Sequence, residues 1–235
     1  MYIAIEGVIG VGKTTLARML QPAFDSELLL EVFEENPFLS DFYSDRERYA
    51  FQTQIFFLLS RYHQQRRGVR TILESGKSLL SDYTFAKDSL FARINLKGDE
   101  LEMYKRVHEA LAEKIVMPDL LVYLRADTSV LMQRIAFRDR SYERNMERGY
   151  IDELNQAYEE FFSHPYDGTR VLTIDTNPRD FEEFFPHPYD GTRVLTIDTN
   201  PLDFVHSPEH LKLIENRIRE ALNLPPYQAE LPLER

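Results

Sequence analysis

The sequence contains no cysteine. Disulfides, thiolate zinc sites and a cysteine nucleophile are therefore excluded. It also lacks any apolar run approaching the roughly 18 residues of a membrane span, so no membrane-embedded role is expected. Positive charge is scarce: 28 Lys and Arg against 39 Asp and Glu give a formal net charge of −11. Such a balance argues against broad electrostatic binding to nucleic acid and points to a small-molecule partner. The six histidines show no metal-ligand spacing. An apolar run starting at Tyr2 leaves no room for a signal or transit peptide after Met1, an expectation compatible with a cytoplasmic protein. At 235 residues, 43% of them hydrophobic and 29% charged, the chain fits one globular domain with a substantial core.

What is present begins at Gly7. Residues 7–15 read G-V-I-G-V-G-K-T-T, a complete G-x-x-x-x-G-K-[ST] pattern. The apolar run Tyr2 to Ile5 precedes it and the helix-like Leu16 to Leu20 follows, the strand–loop–helix context the motif requires. Gly7, Gly10 and Gly12 let the backbone turn tightly and aim successive N–H groups at one anion. The helix start adds partial positive charge at the same place. Lys13 is expected to reach the outer phosphates of ATP and the Thr14 hydroxyl to bind Mg²⁺, with Thr15 closing the loop.

Further apolar runs end in carboxylates. Leu28 to Leu30 runs into Glu31, and K-S-L-L-S-D at 77–82 ends at Asp82. Uninterrupted runs suit strands buried on both faces of a parallel sheet, whose carboxyl ends are where open α/β sheets bind ligands. A fourth strand is expected over Leu120 to Leu124. Helical spacing covers 46–65, with Phe51, Ile55, Leu58, Leu59 and Tyr62 on one side, and then 99–116, 128–138 and 150–162. Ser207-Pro208 offers an N-cap and a first-turn proline for a helix to about Leu222. Strands alternating with helices imply a parallel sheet wrapped by helices.

One feature is anomalous. Residues 159–181 recur at 182–204 with only Ser163/Pro186 and Arg179/Leu202 different. Two copies do not make a solenoid, which needs at least ~3. The pattern is a tandem duplication of one R-V-L-T-I-D strand with its flanks. A sheet slot holds one strand, so the second copy, which runs on to the Ser207 helix, is expected in the sheet and the first looped out. Identical copies also invite register exchange or swapping between chains.

Five segments bear on what receives the phosphate through a resemblance: E-V-F-E-E-N-P-F-L at 31–39, F-Y-S-D-R-E-R-Y-A-F-Q-T-Q-I-F-F-L-L-S-R at 42–61, L-L-S-D-Y-T-F-A-K-D at 79–88, R-I-A-F-R-D-R-S-Y-E at 134–143 and T-I-D-T-N-P-L-D-F at 196–204. Together they resemble the deoxyribonucleoside kinase family, from Met1 to about Leu222 apart from the extra copy. The resemblance implies a P-loop kinase fold with an arginine-rich lid. It makes Glu31 the general base for the nucleoside 5′-hydroxyl, with Val32 where the family has proline. It places Tyr43 and Glu143 on the sugar 3′-hydroxyl and Gln54, Arg61 and Asp88 on the base. Asp82 joins Thr14 at Mg²⁺, and Arg134, Arg138 and Arg140 become lid arginines. Asp203 and Phe204 fall in the loop that holds the donor adenine. Tyr83 departs from the pattern, standing where the family has an arginine; a lid arginine or Lys87 is left to compensate.

The activity implied is ATP-dependent phosphorylation of a deoxypurine nucleoside or deoxycytidine, by a homodimer as family members commonly are. A nucleoside monophosphate kinase would need more positive charge on its acceptor side than Arg61 offers. A catalytically impaired nucleotide-binding module, its sheet altered by the duplication, is the rival from another class.

Overall fold

The uninterrupted apolar runs become strands of one sheet. The structure, a computed structural model, describes residues 1–144, 146–163, 171–174 and 192–226. At the centre lie β1 (Tyr2–Gly7) and β4 (Leu120–Arg125), in which Ile3, Ala4, Ile5, Leu120, Leu121 and Val122 are fully buried. On one side follow β3 (Ser78–Ser81) and β2 (Ser26–Leu29); on the other come β6 (Arg193–Asp198) and β5 (Val171–Ile174). The order is β2-β3-β1-β4-β6-β5 and every pairing is parallel. The carboxyl ends therefore share one edge, where Gly7, Glu31 and Asp82 emerge together.

The helices are α1 (Lys13–Leu20), α2 (Leu39–Ser44), α3 (Arg46–Glu74), α4 (Lys87–Asn95), α5 (Gly98–Ala112), α6 (Thr128–Arg138), α7 (Arg148–Ser163) and α8 (Pro208–Ala221). The spacing placed α6 and the start of α8 correctly, and the Ser207 hydroxyl accepts from the His210 N–H at 3.3 Å as an N-cap should. By contrast, α3 runs nine residues past Gln65. A side chain at Gly68 would meet Leu29 Cδ1 at 2.9 Å, so glycine lets the helix pass close over β2 rather than ending it. Leu59 is 42% exposed while Leu58 is fully buried, because adjacent helical positions point about 100° apart. α5 stops at Ala112, short of Val116. Among the described residues no helix is long and apolar enough to cross a membrane.

The two copies of the duplicated strand are both in the sheet. β6, from the second copy, fills the slot beside β4 as expected. The first copy is not looped out: it forms β5, parallel to β6 and matched residue for residue with its own repeat, Val171 to Val194 and Ile174 to Ile197. The single-slot expectation fails because the outer edge of β6 presents unpaired N–H and C=O groups that a further strand satisfies. The sequence between Ile174 and Arg193 exceeds the roughly dozen residues that a parallel crossover needs. The opening residues of the first copy, Glu159 to Ser163, complete α7.

Candidate active site

The phosphate loop joins β1 to α1 through two left-handed glycines, Gly10 and Gly12. Gly12 has φ +106°, and a Cβ there would press on the Phe204 ring at 2.9 Å. A larger residue is thus barred both by its backbone and by the neighbour. Lys13 Nζ donates to the Gly7 carbonyl at 2.7 Å and the Val8 carbonyl at 3.1 Å. Burial, and next the charge of Lys87, push its ammonium down to about 8.

On the donor side a cavity of about 960 Å³ lies against Gly12, Thr15, Arg134, Phe137 and the 200–206 loop that carries Asp203 and Phe204. Phe204 is buried, whereas Asp203 is exposed and accepts from the His206 backbone N–H at 3.1 Å. Asp180 and Phe181, their counterparts in the first copy, lie outside the described residues. Arg134 lines this cavity with Arg138, whereas Arg140 lies on the other side. Arg134 donates to the Val11 carbonyl at 3.3 Å and to the Thr199 hydroxyl and carbonyl, each at 3.0 Å, tying the phosphate loop to the end of β6. Arg138 lies one turn further along α6 and also faces the acceptor side.

There a narrower cavity of about 110 Å³ is bounded by Glu31, Tyr43, Arg61, Arg138, Arg140 and Glu143. Glu31 Oε1 accepts from Arg61 Nε at 2.7 Å and Oε2 from Lys87 Nζ at 2.6 Å. Burial alone would raise its pKa, but Arg61 and Lys87 outweigh burial and hold the carboxyl well below the usual carboxylate range. Arg61 also pairs with Asp88, which is fully buried at the start of α4. Glu143 receives Arg138 through Nε at 3.0 Å and Nη2 at 2.6 Å. Tyr43 stacks on Tyr142, ring centroids 6.3 Å apart, and burial keeps its phenol protonated. The Arg140 guanidinium lies 4.2 Å from the centroid of Phe33.

Thr14 Oγ1 donates to Asp82 Oδ2 at 2.5 Å, and Asp82 Oδ1 accepts from the Glu31 backbone N–H at 2.8 Å. A hydroxyl and one carboxylate, both hard oxygens, fit Mg²⁺, which usually keeps waters and phosphate oxygens in its shell. Among the described residues no cluster of three or more His, Cys, Asp or Glu offers a fuller cage.

Gln54 shares the buried face of α3 with Arg61, two turns away, and its Oε1 has no hydrogen-bond partner among the described residues. Neither Gln54 nor Asp88 lines the acceptor cavity; Asp88 reaches it through Arg61. Gln52 is exposed, and of the three phenylalanines on α3 only Phe57 meets the cavity, beneath Arg61 at 4.5 Å. Glu34 and Glu35 form an exposed turn. Tyr83 is buried and donates to Gln64 Oε1 at 2.8 Å, away from the reaction edge. Of the aromatic residues of the acceptor wall that the sequence did not announce, Phe33, Phe91, Tyr142 and Tyr158, two lie beside expected site residues: Phe33 and Tyr142. Each lies within two residues of an acidic anchor, Glu31 or Glu143, and that proximity was the available signal.

The two cavities share Gly10 and Arg138. A phosphate loop on one side of that junction and an ionised carboxylate on the other define a P-loop kinase, an enzyme that moves a phosphoryl group from a nucleotide to a second small molecule. Residues 3–223 match the family model described as deoxynucleoside kinase. The chain belongs to the deoxynucleoside kinase family. It is 35% identical over 182 residues to the deoxyguanosine kinase of Bacillus subtilis (strain 168), which spans 76% of this chain and 88% of that protein. It is 34% identical over 169 residues to the deoxyadenosine/deoxycytidine kinase of the same organism, across 68% of this chain and 76% of that one. A structure of deoxyadenosine kinase from M. mycoides with the products dCMP and a flexible dCDP superimposes with a TM-score of 0.72 at 25% identity, covering 94% of this chain and 100% of that one.

Proposed function

We propose that the protein transfers the γ-phosphoryl group of ATP to the 5′-hydroxyl of a deoxypurine nucleoside or deoxycytidine, a step of nucleotide salvage. The observation that carries this reading is the junction at Gly10 and Arg138, which sets Glu31 across from the phosphate loop. In this reading Glu31 takes the 5′-hydroxyl proton as the oxygen attacks phosphorus. Its low basicity suits a reaction in which positioning and charge stabilisation supply most of the rate. Lys13, Arg138 and Arg140 offset charge on the phosphoryl oxygens, and Arg134 fixes the loop on which they depend. Mg²⁺, held by Thr14 and Asp82, would neutralise phosphate charge.

Tyr43 and Glu143 orient the sugar through its 3′-hydroxyl, while Gln54, Arg61 and Asp88 read the base. A bidentate amide and a guanidinium fork suit a base edge with neighbouring donor and acceptor. A monophosphate acceptor fits less well, since the acceptor side carries the carboxylates Glu31 and Glu143 and its Arg61 is already paired with Glu31 and Asp88. A cytoplasmic homodimer forming one kinase domain per chain completes the proposal, and light scattering at the 27.7 kDa monomer mass would contradict the dimer. The activity is tested by incubating the protein with ATP, Mg²⁺ and each of the four deoxynucleosides. Formation of a purine or deoxycytidine monophosphate is expected; none from any acceptor refutes the proposal.

A further inference from the structure

Lys87 carries a charge in a place where charge is expensive. Its side chain is only 5% exposed. Its ammonium lies 5.7 Å from the centroid of the Tyr83 ring and 6.0 Å from that of Phe91, so aromatic surface replaces water on its flanks. Its bond to Glu31 Oε2 uses one of its donors, while Oε1 takes the Arg61 fork. An ammonium has three donors. Among the described residues Glu31 is the one side chain that Lys87 donates to, and Lys87 lines a cavity whose walls include Lys13, Thr14 and Asp82. Lys13 stands close enough for the two cations to repel. Glu31 and Asp82 offset part of that repulsion, and an anion lying between the two ammonium groups would offset more of it.

Tyr83 sharpens the point. Its hydroxyl is committed to Gln64, so position 83 brings no cation to the reaction edge. One helical turn later Lys87 does. Resting on the kinase reading above, we infer that Lys87 is a catalytic residue, donating to the oxygens of the transferring phosphoryl group while one of its protons holds Glu31. In that step the 5′-oxygen forms its bond to the γ-phosphorus, the bond from that phosphorus to the β–γ bridging oxygen breaks, and the electron pair leaves on ADP. The hydroxyl proton passes to Glu31. Lys87 is unchanged at the end.

The alternative role, holding Glu31 in position, is separated by a four-enzyme comparison of parent, K87M, E31Q and K87M/E31Q with ATP, Mg²⁺ and the best deoxynucleoside. A phosphoryl contact predicts that K87M lowers kcat by about 100-fold, the scale of losing one preorganised donor. The deoxynucleoside dissociation constant should stay within about three-fold of the parent by equilibrium titration. K87R should recover at least about ten-fold of the loss. In the E31Q background the Lys87 substitution should still cost tens-fold, since its partner is the phosphate. No further loss on adding K87M to E31Q overturns the inference, as does a K87M kcat equal to that of the parent. Circular dichroism establishes that K87M is folded, and K87Q takes its place in the cycle if it is not. An inactive parent would instead overturn the kinase reading itself.

Discussion

Arg61 and Asp88 make the most demanding buried contact of the site, and removing either partner should have unequal consequences. Both are nearly inaccessible, at 4% and 0%. In Arg61→Met, Asp88 loses its only ion-pair partner among the described residues, while Glu31 keeps Lys87 at 2.6 Å. A carboxylate stranded in the interior costs about 3–5 kcal/mol. In Asp88→Asn, Arg61 retains Glu31 through Nε at 2.7 Å, so the loss is of the order of a weakened hydrogen bond, about 1–2 kcal/mol. The double variant removes both charges and should cost about 2–3 kcal/mol, less than the sum of the single changes, a coupling within the range expected of contacting residues. Urea unfolding followed by circular dichroism measures all three. For a protein of this size an Arg61→Met loss of about 4 kcal/mol corresponds to roughly 8–16 °C in Tm. Equal costs for the two single variants, or strict additivity in the double, would refute the buried-pair reasoning.

Three other expectations rest on separate features. Deleting residues 164–186 joins Ser163 to His187, removes the outermost strand and leaves α7 and β6 intact; the product should fold and keep turnover within about three-fold, since an edge strand bears on few core contacts. An insoluble or inactive product would show instead that β5 is needed. Glu31 has a folded pKa held below its unfolded value, so its ionisation contributes stability above pH of about 4.3 that is lost as pH falls further. The base form is then fully populated from about pH 5 upward, and kcat/KM should show no acid limb between about pH 5 and 7; a limb there would contradict the pairing with Arg61 and Lys87. Gly12→Ala, strained at φ +106° and pressed on Phe204, should weaken ATP binding at least about ten-fold in calorimetry while leaving deoxynucleoside affinity within about two-fold. Equal losses on both sides would place the damage in the fold rather than the donor site.

Much of this architecture was legible because its signals are local. The glycine spacing at 7–12, the apolar runs that end at Glu31 and Asp82, and the Ser207-Pro208 helix start each reflect a backbone constraint acting over a few residues. The intervals from Tyr43 to Gln54 to Arg61 place the latter two on one face of α3, as helical geometry dictates. What escaped was set by distant contacts. α2 and α4 have no side-chain cap bond to announce them. Arg134 lies within the same charged run as Arg138, yet its partners Val11 and Thr199 come from other parts of the chain and pull it to the donor side. The extra strand could not be placed from its own sequence, which is the same as that of its neighbour. Its position depends on an open sheet edge that exists only once β6 has paired with β4.

The central claim is that the acceptor's 5′-hydroxyl meets Glu31 while its 3′-hydroxyl lies by Tyr43 and Glu143. Phosphorus–proton coupling in the NMR spectrum of the product, formed from ATP and the preferred deoxynucleoside, tests it directly. Coupling of a single phosphorus to the two 5′ protons is predicted. Coupling to the 3′ proton, or a diphosphate formed faster from the monophosphate than the monophosphate is from its nucleoside, would contradict it.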